Sequence, residues 1–259
     1  MTGSWLSRAA TIRFTRDIAE YMIIRLGKRR VFVPVGAWKS FSRLREFSIL
    51  CDYLNAQPGD RILDVGCGDG YWTRRLANKS GAILSGCDIN PESIEMAREF
   101  MPVKEYRVTP AEHLPWPDGS FDKVISISAL EHFEDDLSAL RQMRRVLCEG
   151  AILALSVDSF SSPRITQTDR RTHAHRNSVC KFYTEDAIRQ LLARAGFEAT
   201  ASRWIGNSRA SFHLLFYANL PRTLATILSP IAITLVAIAD RLSSNQSSGL
   251  ILVLRCRAI

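Results

Sequence analysis

Between Leu63 and Gly70 the chain reads LDVGCGDG, an acid followed by glycines at 66, 68 and 70, just behind an apolar run. Glycine at alternate positions disfavours helix and strand alike and suits a tight turn. Gly66 permits the turn, Gly68 lets backbone come against a ligand, and Gly70 allows a following helix to pack close. Asp64 then faces the ligand from the loop entrance. A second acid, Asp88, ends the next apolar run in GCDIN, where a carboxylate can accept both hydroxyls of a ribose. Two acids at consecutive strand ends argue against bound phosphates, which want cations or bare N–H groups. An adenosine bearing a cationic sulfonium suits them better. No Lys-Ser or Lys-Thr follows the glycines, which excludes a P-loop. The competing reading is a tight turn that holds no ligand.

Other residues could act on a second reactant. His132, in ALEHFED, lies just after the fourth apolar run, at the edge where a reacting group would emerge. It could take a proton from a hydroxyl, orient it, or merely cap a helix or pack. His173 and His175 lie in TDRRTHAHRNS, which reads as a basic polar loop at the same mouth. Arg164, Arg170, Arg171 and Arg176 there form either a solvated surface or a clamp for an acidic or phosphate group. The two histidines and Cys180 lack any usual zinc spacing, so no metal site is expected. The six cysteines are scattered without a C-x-x-C pair, which suits buried thiols in a reducing compartment.

The elements that must position these residues follow from periodicity. Residues 1–57 read as an N-terminal helical cap. In RFTRDIAEYMIIRLGKRR, Ile12, Ile18, Met22 and Ile23 suggest one apolar stripe, and a second helix runs through SRLREFSILCDYLNAQ to Pro58-Gly59. From 58 to 259 short apolar runs alternate with helical stretches: RILDV then YWTRRLANK, AILSGCD then PESIEMAREF, YRVT and KVISIS then LSALRQMRRVL, and AILALSV. That order is the signature of a doubly wound α/β fold with a mostly parallel sheet. Asn90-Pro91-Glu92 marks one helix start, and Thr184 with Gly196 brackets another. EATASRW and GLILVLRC complete seven strands, the last of them antiparallel. Between them residues 207–248 form an apolar insert, read as helical.

Together these segments resemble the class I S-adenosylmethionine-dependent methyltransferases, in the branch that includes the ubiquinone/menaquinone-type enzymes. The resemblance spans roughly Gly59 to Trp204 plus the last strand and rests on LDVGCGDG, CDINPESIEMA, the long segment from TPAEHLPWPDGSFDK through CEGAILAL, and YTEDAIRQLLARAGF, in that order. It implies a Rossmann-like methyltransferase fold and an S-adenosylmethionine site. The glycine loop, Cys67 included, would build that site, with Asp88 at the ribose and Ile89 against the adenine. Ala111 and Glu112 would lie at the adenine edge, and Ile127 would contact the cofactor through its backbone. Glu149 and Ala151 replace the usual proline and second glycine of one turn, remote from the cofactor. Methyl transfer from a sulfonium is direct, so Cys67 is not expected to act as a nucleophile, and the chemistry chiefly requires alignment.

The chain has 259 residues, a formal charge of +8 and a pI near 9.4, which favours polyanionic neighbours. No appended nucleic-acid-binding module and no NPPY-like motif is present, so nucleic acid is not the expected partner. From Thr223 to Ala239 no charge occurs, but Pro230 interrupts the run and it falls short of the roughly 20 residues that span a bilayer. A membrane-surface contact, a lid or a homodimer seam are the readings left for 207–248. The expectation is a cytoplasmic methyltransferase, peripheral at the inner membrane face, acting on a small, lipophilic or lipid-linked acceptor. The alternative is a non-catalytic S-adenosylmethionine-binding regulatory or scaffolding protein.

Overall fold

In the computed structural model the described residues are 12–13, 21–26, 29–34, 41–100, 103–163, 165–210, 231, 234–243 and 247–259. The elements run β1 (Ile12–Arg13), β2 (Tyr21–Leu26), β3 (Arg29–Pro34), α1 (Phe41–Leu54), β4 (Arg61–Val65), α2 (Tyr71–Ser80), β5 (Ile83–Asp88), α3 (Pro91–Phe100) and β6 (Glu105–Val108). They continue with β7 (Phe121–Ile127), α4 (Asp136–Val146), β8 (Leu147–Asp158), α5 (Gln167–Asn177), α6 (Glu185–Arg194), β9 (Phe197–Ile205) and β10 (Ile251–Ala258), and a short 3₁₀ turn at Leu130–His132 follows β7.

β4 to β10 form one seven-stranded sheet in the order β6-β5-β4-β7-β8-β10-β9. The pairs from β6 to β8 are parallel, while β10 runs antiparallel to both neighbours, with Ile251 opposite Asp158 and Ile205. This is the doubly wound α/β sheet that the alternating runs imply. The order reverses between β4 and β7, and the crevice at such a switch point is where ligands bind.

Strand alternation sets the two cores. Leu63, Val124, Leu153, Leu155 and Leu254 face α4 and α6 through Leu140, Met143, Ile188 and Leu192. The intervening Ile62, Ile125, Ala154 and Val253 face α1 and α2 through Phe47, Leu50, Leu54 and Leu76. A strand covered by helices on both faces must be apolar at every position, which is why RILDV and ILALSV read as continuous runs. Asn90 Oδ1 accepts from the backbone N–H of Glu92 and Ser93, and Thr184 Oγ1 accepts from Ala187, so both predicted caps form.

Two expectations are corrected. Residues 21–26 and 29–34 are not helical: β2 and β3 pair antiparallel, Ile24 opposite Val31, and Ile12 of β1 pairs with Ile24. YMIIRL and RRVFVP are rich in β-branched and aromatic residues on either side of Gly27-Lys28, and that composition wins over a loose 3.6-residue spacing. Ile18 lies outside the described residues, and in 1–57 the predicted helix survives only as α1. The segment read as a basic loop is instead helix α5. Its start is a capping box, in which Thr166 accepts from the Asp169 N–H and Asp169 accepts from the Thr166 N–H. Of the apolar insert, residues 209–210, 231 and 234–242 are helical, and the remainder of 211–233 is outside the described residues. Among the described residues no helix is long and apolar enough to cross a membrane.

Candidate active site

The glycine loop leaves β4 at Val65 and enters α2 at Tyr71. Gly66 and Cys67 both donate their N–H to the Cys87 carbonyl at 2.9 Å, which ties the loop to the end of β5. All three glycines have positive φ, and each is required for a different reason. A Cβ on Gly66 would lie 2.5 Å from Ala129 Cβ, and one on Gly70 would strike the Tyr106 ring and Ala97. A Cβ on Gly68, by contrast, would meet nothing within 4 Å. The close-packed glycines fix the loop, and the open one faces the space a ligand would take.

Three acids lie on β4, in the loop itself and at the end of β5. Asp64 is buried and accepts from Thr73 Oγ1 at 2.6 Å. Burial pushes its pKa up to about 7; the Thr73 bond works against that shift and the nearby Asp88 charge adds to it. Burial likewise pushes Asp69 up to about 6, against the bond it accepts from the Tyr71 N–H. Asp88 ends β5 and accepts from the Gly68 N–H and the Asn90 N–H, one on each oxygen, both at 2.9 Å. Each Asp88 oxygen keeps a second lone pair for a hydroxyl. Beside it Ile89 is 70% exposed, and Val108, paired with Asp88 across the sheet, is 46% exposed. Two bare aliphatic side chains flanking a ribose-type carboxylate fit an adenine face. Sequence reasoning missed Val108, whose exposure depends on its being the last residue of β6.

The partners of the three acids are a hydroxyl and backbone N–H groups rather than Lys or Arg, so the site fits a cationic ligand. Ala111 is buried and Glu112 half-buried just past β6, where Thr109 N–H donates to the Asp88 carbonyl and Glu112 Oε1 accepts from the Asp135 N–H. Ile127 is the half-buried last residue of β7. The structure thus brings Asp64, Gly66, Cys67, Gly68, Gly70, Asp88 and Ile89 around one loop, with Ala111, Glu112 and Ile127 at its margins. Burial, with the neighbouring Asp64 carboxyl, pushes the Cys67 thiol up from its ordinary range, which disfavours the thiolate.

His132 is exposed in the 3₁₀ turn past β7, and its Nδ1 lies 3.0 Å from the Ser178 carbonyl. A carbonyl only accepts, so Nδ1 carries the hydrogen and Nε2 keeps a lone pair. His173, on α5, differs. Its Nε2 donates to Asp158 Oδ2 at 2.7 Å and its Nδ1 accepts from Asn177 Nδ2 at 3.1 Å, which uses both nitrogens. His175 is exposed on the same helix and is not brought into this group.

A doubly wound sheet with a glycine loop and, among the described residues, acids there that pair with a hydroxyl and backbone N–H groups is an arrangement suited to a nucleoside that carries a positive charge. Residues 63–155 match the family profile described as "Methyltransferase domain". Over these residues the chain is similar to a methyltransferase domain. It is 32% identical over 148 residues to the 2-methyl-6-phytyl-1,4-hydroquinone methyltransferase of Synechocystis, covering 56% of this chain and 43% of that one. It is 37% identical over 112 residues to the 27-O-demethylrifamycin SV methyltransferase of Amycolatopsis mediterranei, covering 41% of each. The matched part therefore spans less than half the length of these relatives. The fold is shared with an S-adenosylmethionine-dependent methyltransferase from Mesorhizobium loti at a TM-score of 0.61 and 21% identity, over 84% of this chain and all of that one.

Proposed function

We propose that the protein moves the methyl group of S-adenosylmethionine to a small, lipophilic or lipid-linked acceptor, working at the inner face of a membrane. The bound cofactor supplies a methyl already activated on a sulfonium. This chain has to bind, align and shield. In this reading Asp88 holds the ribose and the backbone at Gly68 approaches the ligand. Asp64 and Asp69 offer negative charge to the cationic end, while Ile89, Val108, Ala111 and Glu112 enclose the base. His132 stands past β7 with its Nε2 lone pair free, able to take the proton that an acceptor hydroxyl gives up.

The observation that carries the lipophilic part is the helix at 234–242. Its buried side holds Val236 and Asp240, whose carboxylate accepts from the Gly206 and Ser208 N–H groups at 3.1 and 3.3 Å. Its outward side holds Leu235, Ile238 and Leu242, spaced i, i+3, i+7 and 57%, 49% and 80% exposed. Aliphatic residues outward and an acid inward is the reverse of a helix meant for water. Arg241 is exposed beside this stripe, and the one acid in the sequence of residues 207–248 is the buried Asp240, so what the helix at 234–242 shows outward is apolar and cationic. An anionic lipid surface matches both properties. The name of the Synechocystis relative, a phytyl hydroquinone methyltransferase, points to the same acceptor class.

Flotation with anionic liposomes at low and high salt tests the surface: binding is expected, weaker as salt rises. Incubation of lipid extract with methyl-labelled S-adenosylmethionine tests the acceptor, with label expected in the organic phase. A monomer that neither floats nor labels lipid would refute the lipophilic reading and leave the insert as a lid. A dimer seam would show as a concentration-dependent mass lost in a Leu242→Glu variant.

A further inference from the structure

On the β7–β8 side of the switch point, five segments bring polar side chains to one buried place. α1 supplies Arg43 and Glu46, the end of β7 Ser128, the 3₁₀ turn Glu131, the end of β8 Asp158, and α5 His173. Arg43 Nη1 donates to Glu46 Oε2 at 3.0 Å and Ser128 Oγ donates to Glu46 Oε1 at 2.6 Å. The Asp158 N–H donates to Glu131 Oε1 at 3.3 Å, and His173 Nε2 holds Asp158 Oδ2. Glu46, Glu131 and Asp158 are buried. Arg43 and His173 keep part of their side chains in solvent and so form the rim.

One atom in this group is left over. Glu131 Oε2 is buried and has no hydrogen-bond partner among the described residues. A buried polar atom without a partner bears its whole desolvation cost, and native structures rarely leave one without a reason. Burial, with the neighbouring Asp158 carboxyl, pushes the Glu131 pKa up from its ordinary value, which favours the protonated carboxyl. Ala129, two residues before it, is the side chain against which Gly66 of the cofactor loop packs. The turn that carries Glu131 therefore borders the glycine loop, and Glu131 Oε1 faces the end of β8. An in-line displacement needs its acceptor there, beyond the methyl.

We propose that Glu131 anchors the polar end of the methyl acceptor and selects a hydroxyl or amine over a carboxylate or phosphate. The selection follows from the charges already present. Three carboxyls share this place with one guanidinium, and that guanidinium is taken by Glu46. An anionic group would come against the buried Glu46 and Asp158 carboxyls, and among the described residues of this cluster the one guanidinium, Arg43, is already bonded to Glu46, whereas a hydroxyl or amine can fill the missing bond. The inference rests on the methyl-transfer reading above and names its acceptor chemistry.

The test is calorimetric titration of 4-octylphenol, octylamine and octanoate into protein saturated with S-adenosylhomocysteine. The phenol or the amine is expected to bind at least tenfold more tightly than octanoate. Glu131→Gln, which keeps a donor and an acceptor, should hold that ranking. Glu131→Leu should lose it, with S-adenosylhomocysteine affinity unchanged in both variants. Octanoate binding as tightly as the phenol and the amine, or no probe binding to the wild-type complex, overturns the proposal without needing any variant. So does a Glu131→Leu protein that melts higher yet ranks the probes as before, which would make Glu131 a hydrated structural carboxyl. Failure of S-adenosylhomocysteine itself to bind would refute the methyl-transfer reading, a result separable from the probe titrations.

Discussion

Along the carboxyl edge of the sheet, the ends of β4 and β5 present backbone N–H groups and strand-end acids, and the ends of β7 and β8 border a cluster of buried polar side chains. In the first part the loop N–H groups, three positive-φ glycines and acids at strand ends define the space, and Asp88 reaches Gly68 across 20 residues. In the second, Glu46 reaches Ser128 across 82 residues and the charges come from two helices, a turn and a strand end. A backbone site tolerates little variation and suits a ligand common to many proteins. A side-chain site can be rewritten one residue at a time, and it is where an acceptor would be chosen.

The comparison breaks most visibly at His132. His132→Ala is expected to lower turnover roughly 10²–10⁴-fold, the range of a general base, with S-adenosylhomocysteine affinity unchanged. A variant with wild-type turnover would reduce His132 to a brace for the Ser178 carbonyl. The backbone half is next. Asp88→Ala should weaken cofactor binding by about 1.5–3 kcal/mol for each charge-assisted bond lost, roughly 10–100-fold for one. Calorimetry in a folded variant with unchanged affinity would assign the ribose to another acid.

Gly68→Ala sharpens the contrast within the loop. Its Cβ meets nothing, so the cost to the free protein is the strain of a positive φ, about 1–3 kcal/mol, yet the methyl would stand in the ligand's space. Cofactor affinity should fall about tenfold or more while the variant still folds. Equal losses of affinity and stability would mean that Gly68 serves only the turn.

A further effect is expected on pH. Asp64 has a folded-state pKa of about 7, above its unfolded value of roughly 3.9. The protonated acid therefore lends the free protein stability that is full below about pH 4 and is lost as pH rises through about 7. Asp64→Asn should remove this slope, so that wild type minus variant stability declines between pH 5 and 8. Cofactor affinity should move the other way, rising severalfold over the same range as the carboxylate ionises to meet a cation. A parallel pH dependence in both proteins would place the titrating group elsewhere.

The difference between the two halves is also the difference between what could be read early and what could not. Asp64, the three glycines and Asp88 lie within 25 residues, and a tight turn demands glycine whatever surrounds it, so their spacing alone carries the chemistry. The same locality made the caps at Asn90 and Thr184 legible. The capping box at Thr166-x-x-Asp169 was equally local, and it marks α5 as a helix in a stretch whose polarity suggests a loop. For residues 21–34 no local rule suffices, because a short apolar run fits either period until a partner strand is present to accept its hydrogen bonds.

By itself, then, the sequence determined the seven-stranded sheet with its antiparallel last strand and the glycine turn after β4, since each depends on contacts between near neighbours or on the burial of a whole strand. Only the tertiary structure decided which acids meet. It put Glu131 inward and His132 outward on one three-residue turn, joined Asp158 to a histidine on α5, and turned Asp240 into the protein and Leu242 away from it. The physical reason is that a carboxylate's role depends on its burial and its partners. Both are properties of packed surfaces, and residues distant along the chain make those surfaces.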